Sequence, residues 1–261
     1  MAAVLSSPQN PKVKDLIALE TQSRERKARG LFVVEGRREF ERAKAAGFAP
    51  VTLFVREGAD ADLIATADFV VSGRVYEKIA WRGSTEGVVA VLRTRERKLS
   101  GLELSSNPLV LVLEHVEKPG NLGAVLRTAD AAGVDAVLVC DPLTDLYNPN
   151  LVRASLGAVF TVPVVACSSE EACVWLAAHG ISILTAQLQD SDCYYHTDMS
   201  RPTALVFGAE DKGLSPFWRE KADAHIRIPM AGMMDSLNVS ASAAVLAFEA
   251  VRQRNQQNER R

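Results

Sequence analysis

The 261-residue sequence predicts an α/β protein with a mainly parallel sheet in its second half. Two observations carry that expectation, and a third divides the chain into halves. Apolar runs such as Leu109-Val-Leu-Val-Leu-Glu114 lack period-two alternation, as strands buried on both faces do. Helical stretches between such runs are closed by Gly47, Gly133 and Gly180, the usual helix-ending residue. Near residue 100 the charge balance also changes sign: residues 1–98 carry 18 Lys and Arg against 13 Asp and Glu, and residues 99–261 carry 12 against 19.

In order along the chain, Asn10-Pro11 starts a helix, because Asn caps and Pro fits the first turn. It holds Val13, Leu16, Ile17 and Leu19 and runs into the basic segment 23–30. Strands are expected at 31–34, 51–55 and 87–92, a helix at 37–46, and shorter elements at 61–67, 69–71 and 74–80. The charged run 93–98 and the Ser, Gly, Asn and Pro of 100–108 read as a linker. The expected domains are therefore 1–95 and 109–261, joined by 96–108. In the second domain strands are expected at 109–114, 134–140, 160–165, 181–186, 204–207 and 226–228. Helices are expected at 121–132, 150–158, 170–179 and 237–250, with a polar tail fraying from Gln253.

With 48% hydrophobic residues the chain can build a real core. No apolar run reaches the roughly 18–20 residues that span a bilayer. The N-terminus lacks a basic region followed by a long apolar one, so no signal peptide is expected. Cys140, Cys167, Cys173 and Cys193 form no C-x-x-C pair, and the four histidines show no ligand spacing. The expectation is a cytoplasmic protein with reduced thiols, no metal and no membrane partner. The basic first half suggests a polyanionic partner; Arg24, Arg26, Lys27 and Arg29 fall within six residues and suit phosphates.

Three motifs leave strand ends. The first, His115-Val-Glu-Lys-Pro-Gly-Asn-Leu-Gly-Ala-Val-Leu-Arg-Thr-Ala, turns through Pro-Gly into a helix that Asn121 is placed to cap. Small residues one turn before and after Arg127 leave its guanidinium uncovered. The second, Leu205-Val-Phe-Gly-Ala-Glu-Asp-Lys-Gly-Leu-Ser, puts Gly208 directly after a strand, where a ligand can approach the backbone. The third, Ile226-Arg-Ile-Pro-Met-Ala-Gly-Met-Met-Asp-Ser-Leu-Asn-Val-Ser-Ala, ends a strand at Pro229 and opens a helix. Ser236, Asn238 and Ser240 crowd that helix's first turn, where free N–H groups favour a polar ligand. None of the three is a G-x-G-x-x-G or a G-K-[ST] motif, which disfavours a nucleotide-dependent oxidoreductase.

Together, in this order, the motifs resemble those of the SpoU (TrmH-type) family of RNA ribose 2′-O-methyltransferases, over essentially all of 109–251. Ser-Pro-Gln-Asn-Pro-Lys-Val-Lys near the N-terminus and Gly30-Leu-Phe-Val-Val-Glu-Gly36 resemble the family's substrate-binding extension, similar to ribosomal protein L30e. The resemblance implies a deep trefoil knot in the C-terminal α/β domain and a homodimer formed through it. It implies S-adenosylmethionine bound by Thr185, Ala186, Gln187, Phe207, Gly208, Ile228, Met230 and Leu237. It places Arg127, Asn121, Glu210, Ser236 and Asn238 in the catalytic machinery, with Arg153 as a further phosphate contact. The implied substrate is structured RNA, ribosomal RNA favoured over transfer RNA. The rival is an RNA-binding module that keeps the fold without methylating.

Overall fold

In the computed structural model, residues 2–81 and 86–259 are described. The chain divides into two compact units, Met1–Arg95 with Asp145–Thr161, and Glu96–Thr144 with Val162–Arg261. The span 145–161, inside the expected second domain, thus packs with the first unit.

The first unit runs β1 (Ala3–Leu5), α1 (Pro11–Thr21), α2 (Ser23–Arg29), β2 (Leu31–Glu35), α3 (Arg37–Ala45), β3 (Pro50–Arg56), α4 (Ala61–Thr66), β4 (Phe69–Val71), α5 (Gly73–Ile79) and β5 (Val88–Arg93). Its sheet has the order β1-β4-β3-β5-β2. β5 runs antiparallel to both its neighbours, and β1, β4 and β3 are mutually parallel. Strand β1 was not foreseen; three residues carry too little pattern to distinguish a strand from a tail. Asn10 caps α1 as expected, accepting from Lys12 N at 2.9 Å. Val13, Leu16 and Leu19 of α1 are buried against Phe54, Val75 and Tyr76. Each such aliphatic side chain contributes about 1.5–3 kcal/mol by leaving water.

Residues 145–161 form two short helices, Pro149–Ala154 and Ala158–Thr161. The sequence pattern suggested one helix over 150–158 and a strand from 160. Leu156 (φ 50°) and Gly157 (φ 86°) adopt left-handed backbone instead and break the helix between them. Phe160 then turns into an aromatic cluster with Phe32, Phe48 and Tyr147, whose ring centroids lie 4.5–6.2 Å apart.

The second unit begins with β6 (Leu109–Glu114), α6 (Pro119–Ala132) and β7 (Ala136–Cys140). After the two helices just described, α7 and α8, it resumes with β8 (Val164–Cys167), α9 (Ser169–Ala178), β9 (Ser182–Ala186), β10 (Asp192–Cys193) and β11 (Thr203–Phe207). It ends with α10 (Pro216–Lys221), β12 (Ala224–Arg227) and α11 (Val239–Glu259). The sheet order is β10-β12-β9-β11-β6-β7-β8, and every pairing is parallel. Helices cover the strands, so Val110, Leu138, Val206 and Trp218 are buried in one core. Ser168 and Glu171 start α9 with a reciprocal capping box.

The last helix corrects the expected frayed tail. It extends to Glu259, and Gln253 bonds Met199 N (2.7 Å) and Thr197 O (3.1 Å). Arg254 donates to the carbonyls of Asn107 (2.6 Å), Pro108 (3.1 Å), Met199 (3.1 Å) and Arg201 (2.7 Å). Polar composition suggests a solvated end, but here the polar groups bond main-chain carbonyls and the Met199 amide; residues 260–261 lie outside the described part.

Candidate active site

The strand order puts β12, β9 and β11 side by side, and parallel pairing brings their C-terminal ends to one edge. Ile226 is in register with Ala186, and Val206 with Thr185, so the three following loops leave the sheet together. Loops at that edge of a parallel sheet are where ligands gather, because no helix covers the strand ends. Between them lies a pocket of about 500 Å³, within the roughly 300–1,000 Å³ usual for small-molecule sites.

Ala186, Gln187, Phe207, Gly208, Ile228, Met230 and Leu237 line this pocket, together with Glu210, Ser236 and Asn238. Thr185 does not. It is fully buried, with its hydroxyl 2.6 Å from Nδ1 of His225, so it braces β9 against β12 beneath the loop. Gly208 was expected to let a ligand near the backbone. The tightest approach comes from its own loop: an added Cβ would lie 2.2 Å from the carbonyl carbon of Gly213. Gly213 N donates to Ala209 O at 2.8 Å and closes the turn.

The three motifs are tied to one another. Lys118, before α6, pairs with Glu210, which raises the pKa of the lysine above its usual value. Asn238 Nδ2 donates to Asn121 Oδ1 at 3.3 Å. Asn121 is therefore not the cap expected of it: α6 begins at Pro119, and the Asn121 side chain reaches the third motif. Asn238 itself caps α11, accepting from Ser240 N (2.9 Å) and Oγ (2.7 Å). Arg127 is exposed on α6 without a hydrogen bond or ion pair among the described residues. It is not part of the pocket lining.

Two lining side chains carry buried polar atoms with no intramolecular partner, Gln187 Oε1 and Arg219 Nε. Unpartnered buried donors and acceptors are costly unless a ligand satisfies them, so the walls suit a polar organic molecule. Neither Lys118 nor Arg219 stands out in the sequence. A charge in a Pro-Gly turn or on a short helix has no distinguishing pattern until its neighbours are known. Among the described residues, no group of three His, Cys, Asp or Glu could hold a metal ion, and no helix is long and apolar enough to cross a membrane.

The residues expected to meet phosphates separate into two groups. Arg26 is buried, 2.7 Å from Asp145, and also donates to the carbonyls of Leu19 (2.7 Å) and Glu20 (3.1 Å). Arg153 bonds Asn150 (2.6 Å), faces Glu35 at 3.5 Å and lies over the Trp81 ring. Both hold the first unit together, which corrects the expectation for Arg26 as a phosphate contact and leaves Arg153 committed internally. Arg29 pairs with Asp15 through two bonds of 2.5 and 2.9 Å. Arg24 and Lys27 are exposed and unpaired among the described residues.

Comparison with known proteins agrees with this architecture. The SpoU rRNA Methylase family model matches residues 108–248, and an MRM3-like substrate binding domain model matches residues 10–90. The 23S rRNA (guanosine(2553)-2'-O)-methyltransferase RlmP of Bacillus subtilis is 31% identical over 94% of this chain and 97% of its own. A crystal structure of an RNA 2'-O ribose methyltransferase, 39% identical, superposes with a TM-score of 0.85 over 97% of this chain and 99% of that one. The AdoMet-bound rRNA methyltransferase from Sinorhizobium meliloti, 30% identical, gives 0.88 over 96% and 98%. These matches set aside the oxidoreductase reading: the chain belongs to the SpoU rRNA methylase family, with an MRM3-like substrate binding domain ahead of the methylase domain.

Proposed function

We propose that this protein methylates a ribose 2′-hydroxyl in ribosomal RNA, with S-adenosylmethionine as methyl donor. The observation that carries the reading is that the second and third motifs, with the loop after β9, line one pocket, and that Lys118–Glu210 and Asn121–Asn238 tie the first motif to them. The pocket size and its unpartnered Gln187 and Arg219 atoms fit a zwitterionic nucleoside, and AdoMet is bound in the similar Sinorhizobium meliloti enzyme. Ala186, Gln187, Phe207, Gly208, Ile228, Met230 and Leu237 would hold it, with Thr185 behind them.

When bound, that donor supplies an electrophilic methyl group on sulfur. The chain must then place the ribose oxygen in line with it and keep water away. A guanidinium is a poor proton acceptor, so the part of Arg127 is electrostatic. It would grip the neighbouring RNA phosphate, whose oxygen can take the hydroxyl proton, and stabilise the negative charge on the ribose oxygen while the methyl group passes from sulfur to that oxygen and a neutral thioether is left. Asn121 and Ser236 orient the hydroxyl, and Asn238 fixes Asn121. Glu210 holds motif two against motif one through Lys118. Arg24 and Lys27 contribute phosphate contacts from the first domain, with Arg29 where Asp15 releases it.

Three further features belong to the proposal: a trefoil knot in the methylase domain, homodimerisation through that domain, and action in the cytoplasm. The small residues of α11 and its half-exposed Phe248 support a helix face suited to a second copy. The activity is tested by incubating the purified protein with unmodified ribosomal RNA, and in parallel with transfer RNA, and methyl-labelled S-adenosylmethionine. Digestion to nucleosides should place label in a 2′-O-methylnucleoside from the ribosomal RNA; label on a base, or none, overturns the reading. Arg127→Ala should lower kcat at least 100-fold, with partial rescue by guanidinium; near-normal turnover refutes its assignment.

A further inference from the structure

The pocket is lined by cations to which the scheme above gives no defined partner. Three basic residues line it: Lys212, Arg219 and Arg227. Lys212 and Arg227 are exposed, whereas Arg219 is partly withdrawn from solvent. It follows Trp218, whose buried indole donates to Ser169 Oγ at 3.1 Å and anchors α10 in the core. The Arg219 backbone is therefore carried by a fixed element, not by a free loop. Its guanidinium makes no hydrogen bond or ion pair among the described residues, and its Nε is buried. The acids lining the same pocket do not take it up: Glu210 is occupied by Lys118, and Asp211 and Asp235 are exposed and form no ion pair with it.

A partly buried, unpaired guanidinium facing a ligand pocket is costly by itself and calls for an anionic partner. Its planar fork matches a carboxylate, which can accept two parallel bonds. We infer that Arg219 binds the α-carboxylate of the methionyl part of S-adenosylmethionine and so fixes which end of the pocket that part occupies. The inference rests on the cofactor reading above and adds to it a residue outside the three motif cores. An RNA phosphate is the other oxyanion available, but Arg219 lies among the residues that surround the small-molecule pocket, which favours the carboxylate.

The test uses decarboxylated S-adenosylmethionine, which keeps the sulfonium and the amine and lacks only the carboxylate. Calorimetry on the full-length protein should show S-adenosylmethionine binding about 10- to 100-fold more tightly than the decarboxylated analogue, the range for a hydrogen bond between charged groups. In Arg219→Gln that preference should collapse toward unity through loss of S-adenosylmethionine affinity alone. Retained affinity for the analogue shows that the pocket is intact. Arg219→Lys, which keeps a point charge without the fork, should fall between the two, and it carries the test if the Gln variant does not fold. Equal weakening of both ligands, or a wild-type preference near unity, overturns the inference while leaving the cofactor reading standing. Unchanged S-adenosylmethionine affinity with weakened RNA binding overturns it in favour of a phosphate contact. Wild-type protein that binds neither ligand sinks the cofactor reading and this inference with it.

Discussion

Substituting Gly208 by alanine tests whether the pocket depends on a closed turn in the second motif. The added Cβ would stand 2.2 Å from Gly213 C, 2.3 Å from Gly213 O and 2.4 Å from Leu214 N, where 3.4 Å or more is ordinary contact. All three atoms are backbone, so no side chain can swing aside. The two arms of the turn must part by about 1 Å, which strains the 2.8 Å bond from Gly213 N to Ala209 O. Overpacking of this kind costs about 1–3 kcal/mol. Falling wholly on the bound state, that is about 5- to 150-fold in Kd. Because Gly208, Gly213 and Leu214 all line the pocket, a large part of the cost should appear there and the rest in folding stability. Calorimetric titration with S-adenosylmethionine and urea unfolding, measured on the same preparation, separate the two. Gly101→Ala is the control, since a Cβ there meets open space and the backbone is not left-handed. Unchanged cofactor affinity and unchanged stability in Gly208→Ala would refute the reasoning, because the turn would then have opened without cost.

Arg254→Ala should lower unfolding free energy by about 2–4 kcal/mol, since four carbonyls lose a charged donor; urea titration measures it, and a change below 0.5 kcal/mol contradicts the clamp. Burial, with Glu35 nearby and only partly offset by Arg153, pushes the Glu20 carboxyl from its ordinary 4.5 up to about 8. Between those values the folded protein holds a proton that the unfolded chain has lost, so this group makes stability fall as pH rises, by up to about 1.4 kcal/mol per unit. Glu20→Gln should flatten that slope in urea titrations at pH 5, 6.5 and 8, and an unchanged slope removes Glu20 as its source. Arg26→Ala should destabilise by about 3 kcal/mol, because Asp145 stays buried without its partner. Lys27→Ala should leave stability within about 0.5 kcal/mol and weaken RNA binding, with a salt slope smaller by about one; equal behaviour of the two variants would show that their environments do not differ.

Arg26 and Lys27 also mark how far a sequence can be read. They are neighbours in one basic run, and composition assigns both to a solvated, phosphate-seeking face. Separating them takes the position of Asp145, 119 residues away along the chain, and no local pattern carries that pairing. Strand existence was legible in the second unit because runs such as 109–114 are buried on both faces and must be apolar throughout. What such runs do not encode is their order in the sheet. The pocket follows from that order, since only the adjacency of β12, β9 and β11 brings residues 186–187, 207–208 and 228–230 to one edge. Register decides the finer assignments. Thr185 and Ala186 are consecutive, yet one is buried beneath the loop, hydrogen-bonded to His225, and the other faces the pocket. Asn121 looked like a helix cap because its local sequence suits one. The structure spends its carboxamide on Asn238 instead, 117 residues on, and so joins the first motif to the third. Short polar side chains at helix starts satisfy either demand equally well in sequence. What distinguishes them is whether another segment arrives within hydrogen-bonding distance, so the site's connections, unlike its parts, become visible only once the strands are ordered.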